Sequence, residues 1–220
     1  MTVAERPESP LELAPGEVRP AHVSEAEVAA LLPFCTSLPK AELHAHINGC
    51  VRPSTLRELA SSCGDLRLKE EVTTLLHDGE RSLAECFALF AVIHRLTTRH
   101  DLVERVTQEV VDDFAADGVL YCELRTTPKR LLSEGITKVS YVDAVLRGVD
   151  AAVCGPNGGN GTGPITIRLL LSIDRREGAE DALETVQLAA SLRSRGVVGV
   201  DLSGNPTLGE WSTCALALLR

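Results

Sequence analysis

The sequence predicts an α/β fold in which parallel strands alternate with helices, amounting to about half of an eight-stranded (β/α)8 barrel. The strand-like segments VLYCEL, ITIRLLLSI and VVGVDL are separated by helix-like segments, an order typical of parallel strands joined by helical crossovers. These strands are nearly continuous apolar runs, as strands covered on both faces should be. About four strands are recognisable, whereas a complete barrel has eight and usually about 250 residues, against 220 here.

Each predicted strand ends in a cluster of polar residues. The clusters read HAHING, RTTPKR, SIDRR and DLSGNP. Active sites of parallel barrels are built where the strands finish and the following loops begin. The polar residues therefore stand where this architecture places its chemistry.

The chain is predicted to begin with a disordered leader and a short helix. Residues 1–22 are rich in Pro and Glu and show no period. Ser24 and Glu27 have the spacing of a capping box in front of Val28, and Pro33 is expected to end this helix.

The remaining elements follow from periodicity and from turn residues. Residues 38–47 alternate loosely, as a short strand does, and Asn48-Gly49 is expected to turn the chain. SLAECFALFAVIHRL reads as a helix, and DLVERVTQEVVDDFAADG as a second one with Asp101 as its cap and Gly118 as its stop. YVDAVLRGVDAAV predicts a third helix. A fourth, GAEDALETVQLAASLRSRG, is expected to stop at Gly196.

Composition narrows the class of protein. The formal net charge of −9 argues against a nucleic-acid binder, which needs a basic face. The acidic, proline-containing start is unlike a secretory signal, and no apolar stretch is long enough to span a bilayer, so we expect a cytosolic protein with no membrane partner.

Seven scattered cysteines without a C-x-x-C pair indicate reduced thiols. The Gly-rich residues 156–164 lack the G-K-[ST] ending of a phosphate loop and predict a flexible surface insertion.

His44 and His46 are the sharpest chemical feature. Side chains on a strand repeat every two residues, so both imidazoles point the same way and can meet one ion. Imidazole nitrogen suits zinc, and two such ligands leave room for further ligands and a water. A bare H-x-H can also be a chance pair of histidines, but its place at a strand end favours a metal site. The H-x-E and P-C-x-x-C patterns of cytidine-type zinc deaminases do not occur.

Several segments resemble the adenosine and AMP deaminase family. The run LPKAELHAHINGCVRPSTLREL is similar to the opening motif of that family, L-P-K-x-E-L-H-x-H-x-x-G. ECFALFAVIHRLTT, FAADGVLYCELRTTPKR, LLLSIDRR and VVGVDLSGNPT continue the likeness in the right order. They are most similar to the adenosine-deaminase-like members that act on N6-methyl-AMP. The resemblance implies the TIM (β/α)8 barrel of metal-dependent hydrolases, of which this chain has the N-terminal half.

The resemblance also implies roles for individual residues. It makes His44 and His46 the first two ligands of one Zn²⁺ per site. It places a purine nucleoside monophosphate against His46, Asn48, His94, Thr126, Thr127, Pro128, Lys129, Asp174 and Gly204. The segment from Thr126 to Lys129 would contact the phosphate, helped by Arg130, and the backbone of Gly204 would meet the purine.

The residues alone allow plainer interpretations of the same positions. His94 could be an ordinary helix-face histidine, and the segment after VLYCEL a polar loop. Asp174 could cap the next helix or pair with Arg175. Gly204 could be a simple turn residue, and Asp201 could be structural.

In this family the later strands supply a third histidine, an aspartate, a proton-donating glutamate and another histidine. The likeness stops near residue 210, so we expect a leader and helix over 1–35, half of a deaminase barrel over 36–210 and a divergent tail over 211–220. We expect a zinc-dependent aminohydrolase that converts N6-methyl-AMP to IMP, monomeric when complete, with this chain inactive alone. The alternatives are a non-catalytic binding form, an adenosine deaminase proper, or another metal-dependent hydrolase with H-x-H on a barrel strand.

Overall fold

The computed structural model describes residues 24–76, 81–154, 165–209 and 211–218. The chain divides into two compact units, Met1–Leu38 and Pro39–Arg220. The predicted leader and the Gly-rich insertion lie outside the described residues. Among those described, no helix combines the length and the hydropathy that a membrane crossing requires.

The first unit contains helix α1, Glu25–Ser37. Its predicted start is confirmed, because Ser24 and Glu27 form a reciprocal capping box. The predicted end at Pro33 is wrong, since the helix continues for another turn. A proline removes only its own N–H from the helical ladder, and the Leu38 N–H still reaches the Phe34 carbonyl at 3.2 Å.

The second unit is built on four parallel strands, which confirms the predicted fold class. They are β1 (Lys40–His46), β2 (Val119–Thr126), β3 (Thr166–Asp174) and β4 (Val197–Ser203), and they pair in the order β1-β2-β3-β4. The helices are α2 (Pro53–Ser62), α3 (Leu66–Leu75), α4 (Leu83–Leu96), α5 (His100–Ala116), α6 (Lys138–Cys154), α7 (Ala179–Ser191) and α8 (Trp211–Leu218).

Helices cover one face of the sheet in the described part of the chain, so the expected burial of both strand faces is wrong. On β2, Cys122 and Leu124 are fully buried in the core shared with the helices. Tyr121, Glu123 and Arg125 alternate with them and are only half-buried. Because successive side chains point to opposite faces, this second face is free to carry polar groups.

Several helix ends differ from the sequence prediction. Helix α5 starts one residue before Asp101, so Asp101 lies in the first turn and not at the N-cap position, and its carboxylate pairs with the Arg99 guanidinium. Its predicted stop is confirmed, because Gly118 has a φ of +79°. Helix α7 ends before a 3-10 turn, Arg193–Arg195, and only then does the chain reach Gly196. The predicted turn at Asn48-Gly49 is the 3-10 segment Ile47–Gly49.

Residues 211–218, predicted as a divergent tail, form α8. This helix packs on α7, and Leu218 lies against the small cluster of Ile173 and Ala182.

Helices α5 and α6 approach each other closely at Gly148. A Cβ atom at this position would lie 2.4 Å from the Glu104 carbonyl oxygen and 2.8 Å from the Thr107 Cβ. The first of these atoms belongs to the backbone and cannot rotate away. The close packing of the two helices therefore requires glycine.

We expect Gly148→Ala to destabilise the protein by about 1–3 kcal/mol, because the added methyl overpacks the helix contact. A loss of stability would indicate overpacking, since Gly→Ala in a helix interior normally stabilises a protein by about 1 kcal/mol. Urea unfolding measures the effect. Gly178→Ala, at the N-cap of α7, controls only for the added Cβ atom, because a Cβ there meets nothing within 4 Å. A more stable Gly148→Ala variant would contradict the packing argument.

Candidate active site

The carboxyl ends of the four strands border a cleft of about 550 Å³. Helix α4 forms one of its sides. The lining residues are His44, His46, Asn48, Gly49, Phe87, Phe90, Ala91, His94, Arg125, Thr126, Thr127, Asp174, Arg176, Asp201, Leu202, Ser203, Gly204, Asn205 and Leu208. Eight residues proposed from the sequence are thus brought together, whereas Pro128 and Lys129 are not among the lining residues.

His44 and His46 lie on the same face of β1, as their spacing predicts. Their ring centroids are 5.5 Å apart. Burial lowers the pKa of His46, and the nearby His44 and Arg125 lower it too, although Asp201 acts in the opposite direction. A neutral imidazole keeps a lone pair with which to bind a metal ion.

Arg125 connects three strands at this end of the sheet. Its Nη1 donates to Asp201 Oδ2 on β4 at 2.8 Å and lies 3.3 Å from His44 Nε2 on β1. Its Nη2 donates to the Leu43 carbonyl at 3.0 Å. Neither Arg125 nor Asp201 was assigned to the site from the sequence. A charged residue inside an apolar strand could have indicated them, because a charge at a buried position is usually paired.

One carboxylate oxygen of Asp201 is available as a hydrogen-bond acceptor. Its Oδ1 is buried without a hydrogen-bond partner among the described residues, as is the hydroxyl of Ser172, its partner in the strand register. An unpaired buried carboxylate oxygen is costly. It is therefore a potential acceptor on the polar face of the sheet.

His94 reaches the cleft from α4. Asn48 Nδ2 lies 3.3 Å from His94 Nδ1. Part of the ring is open to the cleft, but burial disfavours its charged form, and the cations of Lys129 and Arg176 add to this effect. Together they lower the pKa of His94 to about 4. The ring is therefore neutral at neutral pH.

The residues after β2 divide between the cleft and the protein behind it. Thr127 lines the cleft, and its hydroxyl is 3.4 Å from Ser203 Oγ. Thr126 is buried, with its hydroxyl 2.9 Å from that of Tyr141.

Lys129 is held behind the cleft. Its ammonium donates to the Thr97 hydroxyl at 2.8 Å, to the Thr97 carbonyl at 3.1 Å and to the His94 carbonyl at 3.4 Å. Burial lowers the pKa of Lys129 to about 8. The preceding Pro128 is buried. The neighbouring Arg130 forms ion pairs with Glu184 and Asp181.

The ends of β3 and β4 meet at Asp174 and Gly204. Burial acts to raise the pKa of Asp174, but hydrogen bonds from Arg176 outweigh it and the pKa is lowered. Arg176, rather than the Arg175 considered from the sequence, is its ion-pair partner. Gly204 has a φ of +98°, and a Cβ there would lie 3.0 Å from Asp174 Oδ1. Both the backbone conformation and the close approach require glycine.

The cleft can offer neutral imidazoles, hydroxyls and a paired arginine to a ligand. As donors for a metal ion, the two imidazoles of β1 are of the right kind for zinc. No group of three or more His, Cys, Asp or Glu side chains that could hold a metal occurs in the part of the chain that the structure describes. The described residues thus fit two positions of a zinc site, which normally takes at least three protein ligands.

Comparison with known proteins identifies the family of this chain. Residues 39–213 match the family "Adenosine deaminase". The N6-mAMP deaminase of Arabidopsis thaliana is 51% identical over an aligned length of 199 residues, and the match covers 83% of this chain and 56% of that protein. The chain spans about half the length of the curated relatives it matches.

Solved structures similar to this chain include members of the same family. The ADAL–IMP complex has a TM-score of 0.78 and 49% identity, covering 86% of this chain and 56% of the other. An amidohydrolase from Burkholderia ambifaria with bound Zn has a TM-score of 0.72 and 26% identity, covering 89% and 51%. The four-stranded sheet corresponds to about half of the amidohydrolase barrel, as predicted. This chain belongs to the adenosine deaminase family.

Proposed function

We propose that this chain carries the N-terminal part of the site of a zinc-dependent deaminase that hydrolyses N6-methyl-AMP. In this reaction water replaces the amine at the purine carbon, and the products are IMP and methylamine. The observation that carries the proposal is the pair His44 and His46 at the end of β1, which lines a nucleotide-sized cleft in a member of this family. Relatives named as N6-methyl-AMP deaminases, and a relative solved with IMP, support the substrate.

His44 and His46 would hold the zinc ion. When bound, zinc supplies a coordinated water of lowered pKa and polarises the group under attack. The neutral form of His46 favours binding, because a proton on the ring would block the ligand nitrogen. The Arg125 guanidinium lies 3.3 Å from His44 Nε2 and restrains that ring.

The nucleotide would lie along the strand ends. We place the purine against the backbone of Gly204, which lines the cleft at the end of β4. Asn48, His94 and Asp174 would contact the nucleotide from β1, α4 and β3. The Thr127 hydroxyl would donate to the phosphate, with the half-buried Lys129 adding positive potential from behind.

We also propose that this chain alone turns over substrate slowly or not at all. Two imidazoles hold an ion less rigidly than a complete set of ligands, and hydrolysis needs a fixed open geometry. Within the described residues no further His, Cys, Asp or Glu joins them to form a metal site. Because the described residues supply only these two metal ligands, binding is the property to measure in this chain, rather than turnover.

Zinc titration tests the metal part of the proposal. We expect one weak site per chain, and we expect His46→Ala to lower its affinity about tenfold or more because an imidazole ligand is lost. His100→Ala is the matched control, since that ring lies 2.9 Å from Ser140 Oγ and does not line the cleft. Equal affinities in the wild type and His46→Ala would refute the site.

Nucleotide binding tests the substrate class. We expect IMP to bind more tightly than inosine. We expect Thr127→Val to weaken IMP binding about 3- to 10-fold, with inosine unaffected, because the lost hydrogen bond is worth about 1 kcal/mol. Calorimetry measures both ligands.

Thr73→Val is the control for this experiment, because its hydroxyl only returns to the Lys69 carbonyl on α3. Tighter binding of inosine, or release of ammonia from adenosine but no methylamine from N6-methyl-AMP, would exclude the nucleotide preference.

A further inference from the structure

The two cations that follow β2 are engaged behind the cleft. The Lys129 ammonium has three N–H donors, and its contacts are the hydroxyl and carbonyl of Thr97 and the carbonyl of His94. Arg130 forms ion pairs with two carboxylates of α7. Neither Lys129 nor Arg130 lines the cleft. A phosphate in the cleft would therefore need a direct cationic partner from another strand end.

Arg176, in the loop after β3, is a cation that does line the cleft. Its side chain is 63% exposed, whereas that of Arg125, the other arginine among the lining residues, is 15% exposed. Arg125 is also held between His44 on β1 and Asp201 on β4. Arg176 is therefore the arginine that a ligand in the cleft can reach.

Asp174 fixes the direction in which the Arg176 guanidinium points. The Arg176 Nε donates to Asp174 Oδ1 at 2.9 Å, and Nη2 donates to Oδ2. The backbone N–H of Arg176 donates to the same Oδ1 at 2.9 Å, so the carboxylate also holds the loop. A guanidinium has five N–H donors in a planar fork. The two on Nη1 and the second on Nη2 have no acceptor among the described residues, and they form an edge that matches two oxygens of a phosphate.

Two contacts place the pair of Asp174 and Arg176 beside the proposed nucleotide position. A Cβ atom at Gly204, against which we place the purine, would lie 3.0 Å from Asp174 Oδ1. Ser203 is the partner of Asp174 in the strand register, and its hydroxyl is 3.4 Å from that of Thr127, the donor assigned to the phosphate. The pair thus adjoins residues assigned to both parts of the nucleotide.

We propose that Arg176 binds the phosphate of the nucleotide through the free edge of its guanidinium, and that Asp174 is a positioning residue that orients this edge. The inference rests on the proposed function and deepens it, because it names a residue that distinguishes a nucleotide from a nucleoside. An arginine already held along one edge loses little side-chain freedom when a ligand binds to the other.

Calorimetry of the whole chain with IMP, inosine and ribose 5-phosphate tests the role of Arg176. We expect Arg176→Gln to weaken binding of the two phosphate-bearing ligands about 10- to 100-fold, because charge-assisted hydrogen bonds are lost, and to leave inosine within about twofold. Arg176→Lys keeps the charge without the fork, so we expect an intermediate loss. Arg147→Gln is the matched control, because this arginine is paired with Glu104 and does not line the cleft.

Asp174→Asn separates positioning from simple charge. Removing a carboxylate beside a phosphate would by itself tighten phosphate binding, because a like charge is lost. If Asp174 orients the guanidinium, we expect the opposite, with IMP and ribose 5-phosphate bound about 3- to 10-fold more weakly and the ratio of IMP to inosine affinity reduced. Tighter binding of ribose 5-phosphate by Asp174→Asn would overturn the positioning role.

The three ligands also separate this inference from the proposed function. If IMP binds more tightly than inosine by the same factor in the wild type and in Arg176→Gln, the role of Arg176 is refuted and the proposed function stands. Equal weakening of IMP and inosine by Arg176→Gln would refute that role as well. If ribose 5-phosphate binding depends on Arg176 but IMP binds no more tightly than ribose 5-phosphate, the phosphate site stands and the proposed function fails. A wild type that binds neither phosphate-bearing ligand would refute both.

Discussion

The guanidinium of Arg125 is the interaction on which the arrangement of the cleft depends. It bonds to Asp201 on β4 and to the backbone of β1 next to His44, and it thereby crosses the whole sheet at its functional end. The pair is largely removed from solvent, with side chains 15% and 19% exposed. Losing one member of such a pair leaves an uncompensated charge. The two residues consequently act as one unit, and the position of His44 follows from it.

The sheet can carry this charge because its two faces are used differently. On β2, Leu124 lies in the core shared with the helices, and the adjacent Arg125 lies on the polar face. The buried face supplies stability through apolar area removed from water. The polar face is left for ion pairs and ligands, at the edge where parallel strands all end together.

Electrostatics in the cleft differ from those of the whole chain. The formal net charge is −9, yet the cleft contains Arg125 and Arg176, each paired with a carboxylate. Pairing brings the local charge close to neutral, and it leaves hydroxyls, uncharged imidazoles and the free edge of Arg176 as the groups that can meet a ligand. Hydrogen-bond geometry, more than net charge, would then decide which ligand fits.

The sequence by itself determined the alternation of strands and helices, the strand-end position of His44 and His46, and the family. These are local patterns, because strand periodicity and capping residues report on neighbours in the chain. The sequence alone did not predict where α1 ends, since helical hydrogen bonds continue beyond Pro33. Only the tertiary structure decided that Arg125 meets His44 and Asp201 and that Lys129 lies behind the cleft. Those partners are tens of residues apart, and their meeting depends on how the helical crossovers set the strands side by side.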